Sequence, residues 1–230
     1  MARIGRQRTG EAELVARLDE VVRRVASEGR QATLLNVGAG DTDKLEVRLA
    51  ALGDSFVVDR LDVCDPTVAE PHVRECWRCS AEAMAPVASD AYDAVFANWV
   101  LEHIPDIAAA GRELHRVLRP GGVFFATLSN PQAPEFYVAK HTPLWFHQLF
   151  WKGRGHETHY SYGSIAELIR TFEGPGLRVT DVAHAPKVGY YCALLGLPLL
   201  PTAGRIYDRL LAHTRCTRLM GDVFIAFVKP

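Results

Sequence analysis

Three groups of residues in this chain have the types and spacing to do chemistry. Gly38-Ala39-Gly40 follows directly on an apolar run, Ala32 to Val37. With no side chain at either glycine, a ligand can lie against the backbone and the N-terminus of a following helix. Asp59 closes a second apolar run, Ser55 to Val58, about 20 residues beyond the glycines, where a carboxylate can accept hydrogen bonds from both hydroxyls of a ribose. The third group lies between Asn130 and Tyr162, where His141, His147, His156 and His159 alternate with Glu157, Tyr160 and Tyr162. Histidine titrates near neutral pH and suits removal of a hydroxyl proton.

Taken singly, the glycines read as ordinary turns and Asp59 as a helix cap; their joint order carries the nucleoside reading. A dinucleotide site would need a third glycine for the pyrophosphate, and Thr42 and Asp43 stand near its place, which argues against a nicotinamide oxidoreductase. Cys76 and Cys79 form a CxxC, but alternation along an extended segment puts them on opposite faces and no second pair completes a zinc site. No metal is expected. A cofactor-free interaction module is the reading from another class.

These residues need a scaffold that brings strand ends together. The 230 residues, 48% hydrophobic and 23% charged, are the size of one domain. Helical spacing marks Glu11 to Gly29, Asp41 to Leu52, Ile107 to Leu118, Ser164 to Phe172 and Arg205 to His213. Seven runs read as strands: 32–37, 55–58, 73–79, 91–99, 122–128, 177–183 and 223–228. Strands alternating with helices predict an α/β fold, a doubly wound, mostly parallel seven-stranded sheet with helices on both faces. The expected organisation is a single domain over 1–230. It has an N-terminal helix within 1–30, an aromatic and histidine-rich lid insertion at 130–162, and a part at 163–230 that completes the sheet.

A net charge of −1 gives no field for gathering polyanions, so no nucleic-acid partner is expected. No apolar run reaches the roughly 18 to 20 residues that span a bilayer, the first ten residues lack a signal-peptide core, and five scattered cysteines fit a reducing compartment. The expectation is a cytoplasmic protein. The apolar stretch 188–200, with Arg205, Arg209, Arg215 and Arg218 after it, reads either as a peripheral membrane contact through 188–218 or as a buried connection followed by an exposed helix.

Asn36-Val37-Gly38-Ala39-Gly40, Val57-Val58-Asp59, Ser80-Ala81-Glu82, Asn98-Trp99-Val100-Leu101-Glu102-His103 and Leu118-Arg119-Pro120-Gly121-Gly122 follow one another in an order that resembles the class I S-adenosylmethionine-dependent methyltransferases, in register over about 34–130. The resemblance implies S-adenosylmethionine as cofactor. It implies that Gly38, Ala39 and Gly40 back its methionine and ribose, that Asp59 binds the ribose hydroxyls, and that Arg60 flanks the adenine. Ser80, Ala81 and Glu82 would border the adenine, and Asn98 and Trp99 the methionine. Asn36 and Ser80 stand where many relatives carry acids.

Methyl transfer is an in-line displacement, so positioning supplies most of the rate, and a hydroxyl acceptor also needs a base. His159 and His156 are the leading candidates, with His103 behind them; His147, Trp145, Tyr160 and Tyr162 are candidate acceptor contacts. The reading that follows is O-methylation of a small-molecule, sugar or lipid-linked acceptor in glycan or secondary-metabolite biosynthesis. The alternative is C- or N-methylation of a quinone-like or other small molecule.

Overall fold

The computed structural model describes residues 3–4, 10–42, 44–51, 53, 55–141, 159, 161–194 and 199–230. Helix α1 (Gly10–Ser27) buries Leu14, Leu18, Val21, Val22 and Val25, an apolar stripe at three- and four-residue spacing. Gly29, at φ 73°, turns the chain out of it. The strands are β1 (Arg3–Ile4), β2 (Ala32–Val37), β3 (Phe56–Asp62), β4 (Val73–Arg78), β5 (Tyr92–Asn98), β6 (Leu118–Ser129), β7 (Arg178–Ala185) and β8 (Asp222–Val228). They form one sheet in the order β1-β7-β8-β6-β5-β2-β3-β4, in which only β8 runs antiparallel to its neighbours. The seven expected strands are thus present, and the two-residue β1 extends the sheet beyond β7.

Helices α2 (Lys44–Ala50), α3 (Ile107–Val117), α4 (Pro134–His141), α5 (Ile165–Glu173), α6 (Val188–Leu194) and α7 (Leu200–Leu211) complete the described elements. On one face, α1 packs its stripe with Phe56, Val58, Phe96, Phe125 and Phe224. On the other, Ile107, Ala110 and Leu114 of α3 and Ile165, Leu168 and Phe172 of α5 pack with Leu35, Val95, Phe124 and Phe227. Strand order reverses between β2 and β5, so their carboxyl ends flank a crevice, the usual ligand position in an open α/β sheet.

Several elements differ from the sequence reading. Strand β3 continues past Asp59 to Asp62, because Leu61 is buried beside Val37 and the charge of Arg60, which interrupts the apolar pattern, is satisfied inside the protein. Helix α2 is shorter than expected, α4 and α6 were not anticipated, and α7 begins at Leu200 with Pro201 in its first turn, where a missing N–H costs nothing. Strand β6 starts at Leu118 and runs through Pro120-Gly121-Gly122 by a register shift against β5. Gly122 is required there, since a Cβ would stand 2.8 Å from the Arg119 carbonyl oxygen. Among the described residues no helix is long and apolar enough to cross a membrane.

At Gly111 helix α3 lies tight against α5: a Cβ would meet Phe172 Cδ1 at 2.9 Å. Phe172 is fully buried between Phe124 and Phe227 and has nowhere to go. Alanine gains about 1 kcal/mol of helix propensity, but overpacking of this kind costs about 1–3 kcal/mol. Gly111→Ala is therefore expected to lower the urea-unfolding free energy by about 1 kcal/mol; a stabilised variant would show that the helices part freely.

Candidate active site

The turn after β2 is built from below. Gly38 and Gly40 have φ of 69° and 64°, a left-handed conformation that disfavours a side chain. Their amides are anchored to β3: Gly38 and Ala39 donate to the Leu61 carbonyl at 2.8 and 3.1 Å, and Gly40 donates to Asp62 Oδ2 at 2.8 Å. Fully buried Arg60 holds the turn's carbonyls, its Nη2 donating to those of Ala39, Gly40 and Thr42 at 3.0–3.1 Å and its Nε to Pro66 at 2.8 Å. Its charge is met by equally buried Glu46, with Nη1 2.5 Å from Oε1, and Asn36 Nδ2 donates to that same oxygen at 2.7 Å. Arg60 therefore has no surface with which to flank an adenine, and Asn36 faces Glu46; both support the turn.

Asp59 is 1% exposed and does not end its strand. Arg74 donates to both its oxygens at 3.0 and 2.6 Å, and the Tyr92 hydroxyl to Oδ2 at 2.7 Å. Burial and the adjoining carboxylate push the Tyr92 phenol upward, so it remains a donor. Asp62 is the carboxylate at the strand end. It is half-buried and takes one backbone N–H on each oxygen, from Gly40 and from Cys64 at 2.9 Å, leaving lone pairs for further donors. The continuing alternation through Leu61 was the signal that could have shifted the reading from Asp59 to Asp62.

Across the crevice, Ser80 and Glu82 bond each other, with Ser80 Oγ 3.0 Å from Glu82 Oε2, and Glu82 Oε1 accepts the Asp106 amide, so their loop is tied to the start of α3. Ala81 between them is buried. Asn98 Oδ1 accepts from Thr127 Oγ1 at 2.5 Å, and the Trp99 amide donates to the Thr127 carbonyl at 2.9 Å. Trp99 is held at φ 60°, a strained value for a bulky residue. Val100, next in the chain, fills the space a Cβ on Gly38 would need.

The acceptor-side expectations divide. His159 is exposed and its amide donates to the Glu102 carbonyl at 2.9 Å, which brings it beside half-buried His103. His156, His147, Trp145 and Tyr160 lie outside the described residues, as does most of the 130–162 insertion. Tyr162 faces the core, 1% exposed, with its hydroxyl donating to the Ser129 carbonyl at 3.3 Å.

A cluster missed by the sequence reading adjoins Trp99. Lys187 Nζ sits 3.6 Å from the centre of the indole ring and 3.7 Å from Asp222 Oδ2. Burial lowers the Lys187 pKa, while Asp222, Glu102 and Glu135 raise it. Burial raises Glu135 to about 7 and pushes Asp222 and Glu102 upward. No periodicity links positions 135, 187 and 222, so only folding reveals them. Among the described residues no group of three metal-ligating side chains is assembled.

The residues fit S-adenosylmethionine. Nothing lies within 4 Å of where a Cβ on Gly40 would be, so the turn opens onto free space, and Asp62 at its rim can accept from a vicinal diol. Comparison with known proteins agrees. A family described as "Methyltransferase domain" matches residues 35–126. The chain is 32% identical to the ubiquinone biosynthesis O-methyltransferase of Xanthomonas campestris pv. campestris (strain B100) over 176 residues, 73% of this chain and 70% of that protein. It is 30% identical to the enzyme of the same name from Methylobacterium sp. (strain 4-46) over 174 residues, 70% and 67% of the two chains. The fold is shared with the geranyl diphosphate C-methyltransferase of Streptomyces coelicolor A3(2), solved with Mg2+, geranyl diphosphate and S-adenosyl-L-homocysteine: TM-score 0.57, 16% identity, 95% of this chain and 80% of that one. With the glycine turn, the strand-end carboxylate and the Asn98–His103 segment converging on one crevice, the chain belongs to the class I S-adenosylmethionine-dependent methyltransferases.

Proposed function

We propose that this enzyme O-methylates a hydroxyl on a small ring-bearing acceptor. The observation that carries the reading is the similarity to two ubiquinone biosynthesis O-methyltransferases over about two thirds of their length. Among the acceptors expected from the sequence, their names favour a small molecule with a quinone-like ring over a sugar or glycan precursor, and O- over C- or N-methylation. The partly buried indole of Trp99, grouped with Phe136, Ala133 and Tyr191, is the kind of apolar wall a ring needs.

In this reading Gly38, Ala39 and Gly40 support the methionine and ribose, Asp62 accepts from the ribose hydroxyls, Ser80, Ala81 and Glu82 border the adenine, and Asn98 and Trp99 flank the methionine. Arg60 and Asn36 act beneath the turn, and Asp59 fixes Arg74 and Tyr92. S-adenosylmethionine, when bound, supplies a methyl group on a positively charged sulfur. The chain's own contribution is to hold the acceptor oxygen in line with that carbon and to keep water away.

Calorimetric titration with S-adenosylmethionine tests the cofactor roles. Charge-assisted hydrogen bonds are worth about 1.5–3 kcal/mol, so Asp62→Ala should weaken binding about 10- to 100-fold. Asp59→Ala should act mainly on thermal stability, because it strips Arg74 and Tyr92 of their acceptor. The reverse pattern would return the ribose to Asp59. Mass spectrometry of a catechol incubated with enzyme and cofactor tests the acceptor class: methylation on oxygen is expected, and methylation on carbon would replace the O-methyl reading.

A further inference from the structure

The cofactor crevice does not use the groups gathered behind Trp99. Gly38 touches Val100, Trp99 precedes it, and Lys187 covers the Trp99 ring, so these groups begin one side chain away from the glycine turn. Three carboxylates act on the ammonium of Lys187, and a fourth holds the backbone beside it. Asp222 lies 3.7 Å from the ammonium, Glu135 and Glu102 act on its charge, and Asp208 accepts the amides of Val188 and Gly189 at 3.0 and 2.7 Å, holding the helix that starts after Lys187. Two of these groups are incompletely satisfied. Glu135 has both carboxylate oxygens buried with no donor beyond its own backbone amide; Glu102, 3% exposed, has Oε2 unpartnered; Asp222, 8% exposed, is met by Lys187 and the Gly10 amide. A buried acceptor without a donor costs about 1–3 kcal/mol. Such a group beside an aromatic wall is completed by a ligand that brings its own hydrogen.

We propose that this cluster is the proton-handling part of the acceptor site: Glu135 takes the proton of a ring hydroxyl lying against Trp99, and Lys187 holds the oxygen that is left. The proposal rests on the ring-hydroxyl reading above and assigns the chemistry within it. The acceptor's O–H proton passes to a Glu135 oxygen. The acceptor oxygen then forms a bond to the methyl carbon as the carbon–sulfur bond breaks, and that bond's electron pair stays on sulfur, which loses its positive charge. Glu135 returns its proton to solvent after product leaves.

The surroundings of Glu135 suit this task. Its pKa is raised to about 7, chiefly by burial and also by Asp208 on α7 and Asp222 on β8, against the lowering effect of its own backbone amide and of Lys187. Tyr207, also on α7, faces the same carboxylate and is itself raised. A base poised near neutrality is the efficient one at that pH. It also explains how one ammonium can serve several carboxylates, since not all of them are ionised together.

The test compares two rings in the full-length protein: catechol, whose hydroxyl needs a base, and 4-nitrocatechol, whose hydroxyl ionises near neutrality without help. Glu135→Gln should lower catechol turnover about 100-fold, lose the native rise of kcat with pH, and lower 4-nitrocatechol turnover by about tenfold or less. Calorimetry should show its S-adenosylmethionine affinity unchanged. Lys187→Met should slow both rings. Isotope-edited infrared spectra read the same carboxyl without turnover: a protonated-carboxyl band that bleaches through about pH 7 and is missing from Glu135→Gln supports the assignment. Absence of that band at about pH 5 overturns it. Native catechol turnover in Glu135→Gln, or equal losses on both rings, overturns the proton assignment alone. Native protein that binds S-adenosylmethionine and methylates neither ring overturns the ring-hydroxyl reading beneath it.

Discussion

Replacing Arg60 with methionine is expected to destabilise the fold by about 3–5 kcal/mol, the usual result of removing one partner from a buried ion pair. Arg60 and Glu46 are both 0% exposed, and the substitution leaves the carboxylate in the interior with Asn36 as its remaining contact. The Ala39, Gly40 and Thr42 carbonyls lose their shared donor at the same moment. Loss of stability and loss of cofactor binding should therefore appear together, although Arg60 faces away from the crevice. The double variant Arg60→Met, Glu46→Leu separates the two effects. Removing both charges should restore most of the unfolding free energy, whereas S-adenosylmethionine affinity stays at least about tenfold weaker because the turn is still unsupported. Urea unfolding and calorimetry on native, single and double variants measure both quantities. An Arg60→Met protein within about 1 kcal/mol of native, with native affinity, would remove Arg60 from its supporting role.

The second large effect is a dependence of stability on pH carried by His184. Its ring sits in β7 between β1 and β8, 7% exposed, with Nδ1 unpartnered, and burial lowers its pKa from 6.5 to about 4. An unfolded histidine takes up a proton as pH falls through 6.5, while the folded ring stays neutral until about 4. Over that window the unfolded state binds more protons, so this group's contribution to stability is present above pH 6.5 and is lost as pH falls toward 4. At about 1.4 kcal/mol per unit the loss is on the order of 3 kcal/mol. Glu135 works in the opposite sense: raised from 4.5 to about 7, it binds a proton in the folded state first and weakens the fold as pH rises through that range. The native curve sums both, so the informative quantity is the difference between native protein and His184→Leu. The variant should gain about 3 kcal/mol relative to native between pH 6.5 and 4, measured by urea unfolding at each pH. Parallel curves would mean that the folded ring takes up its proton at the same pH as the unfolded one.

Much of this architecture was legible because local patterns and global topology agree. The stripe of Leu14, Leu18, Val21, Val22 and Val25 can only be satisfied by one helix face, and the largely apolar runs of β2 and β5 only by burial on both sides. Positions where side chains serve a distant partner were not legible. Arg60, which the resemblance places beside the adenine, is buried instead, because Glu46 on α2 supplies the compensating charge from 14 positions away. Asp59 looked like the strand-end acid until the pairing of Leu61 with Val37 carried β3 three residues further, leaving Asp59 inside with Arg74 and Tyr92. The His159 amide meets the Glu102 carbonyl across 57 positions, a pairing that no local pattern announces.

The chain's residues by themselves determined the class of fold, the place of the glycine turn and the family, since these depend on periodicity and on motifs contiguous along the backbone. The tertiary structure alone decided which of two acids in β3 stands at the crevice, and that a buried arginine supports the turn. It also decided that Lys187 meets both Trp99 and Asp222, with Glu135 near enough to act on its charge. The reason is physical: burial and charge pairing are properties of surroundings, and surroundings exist only once strands that are remote in the chain lie side by side.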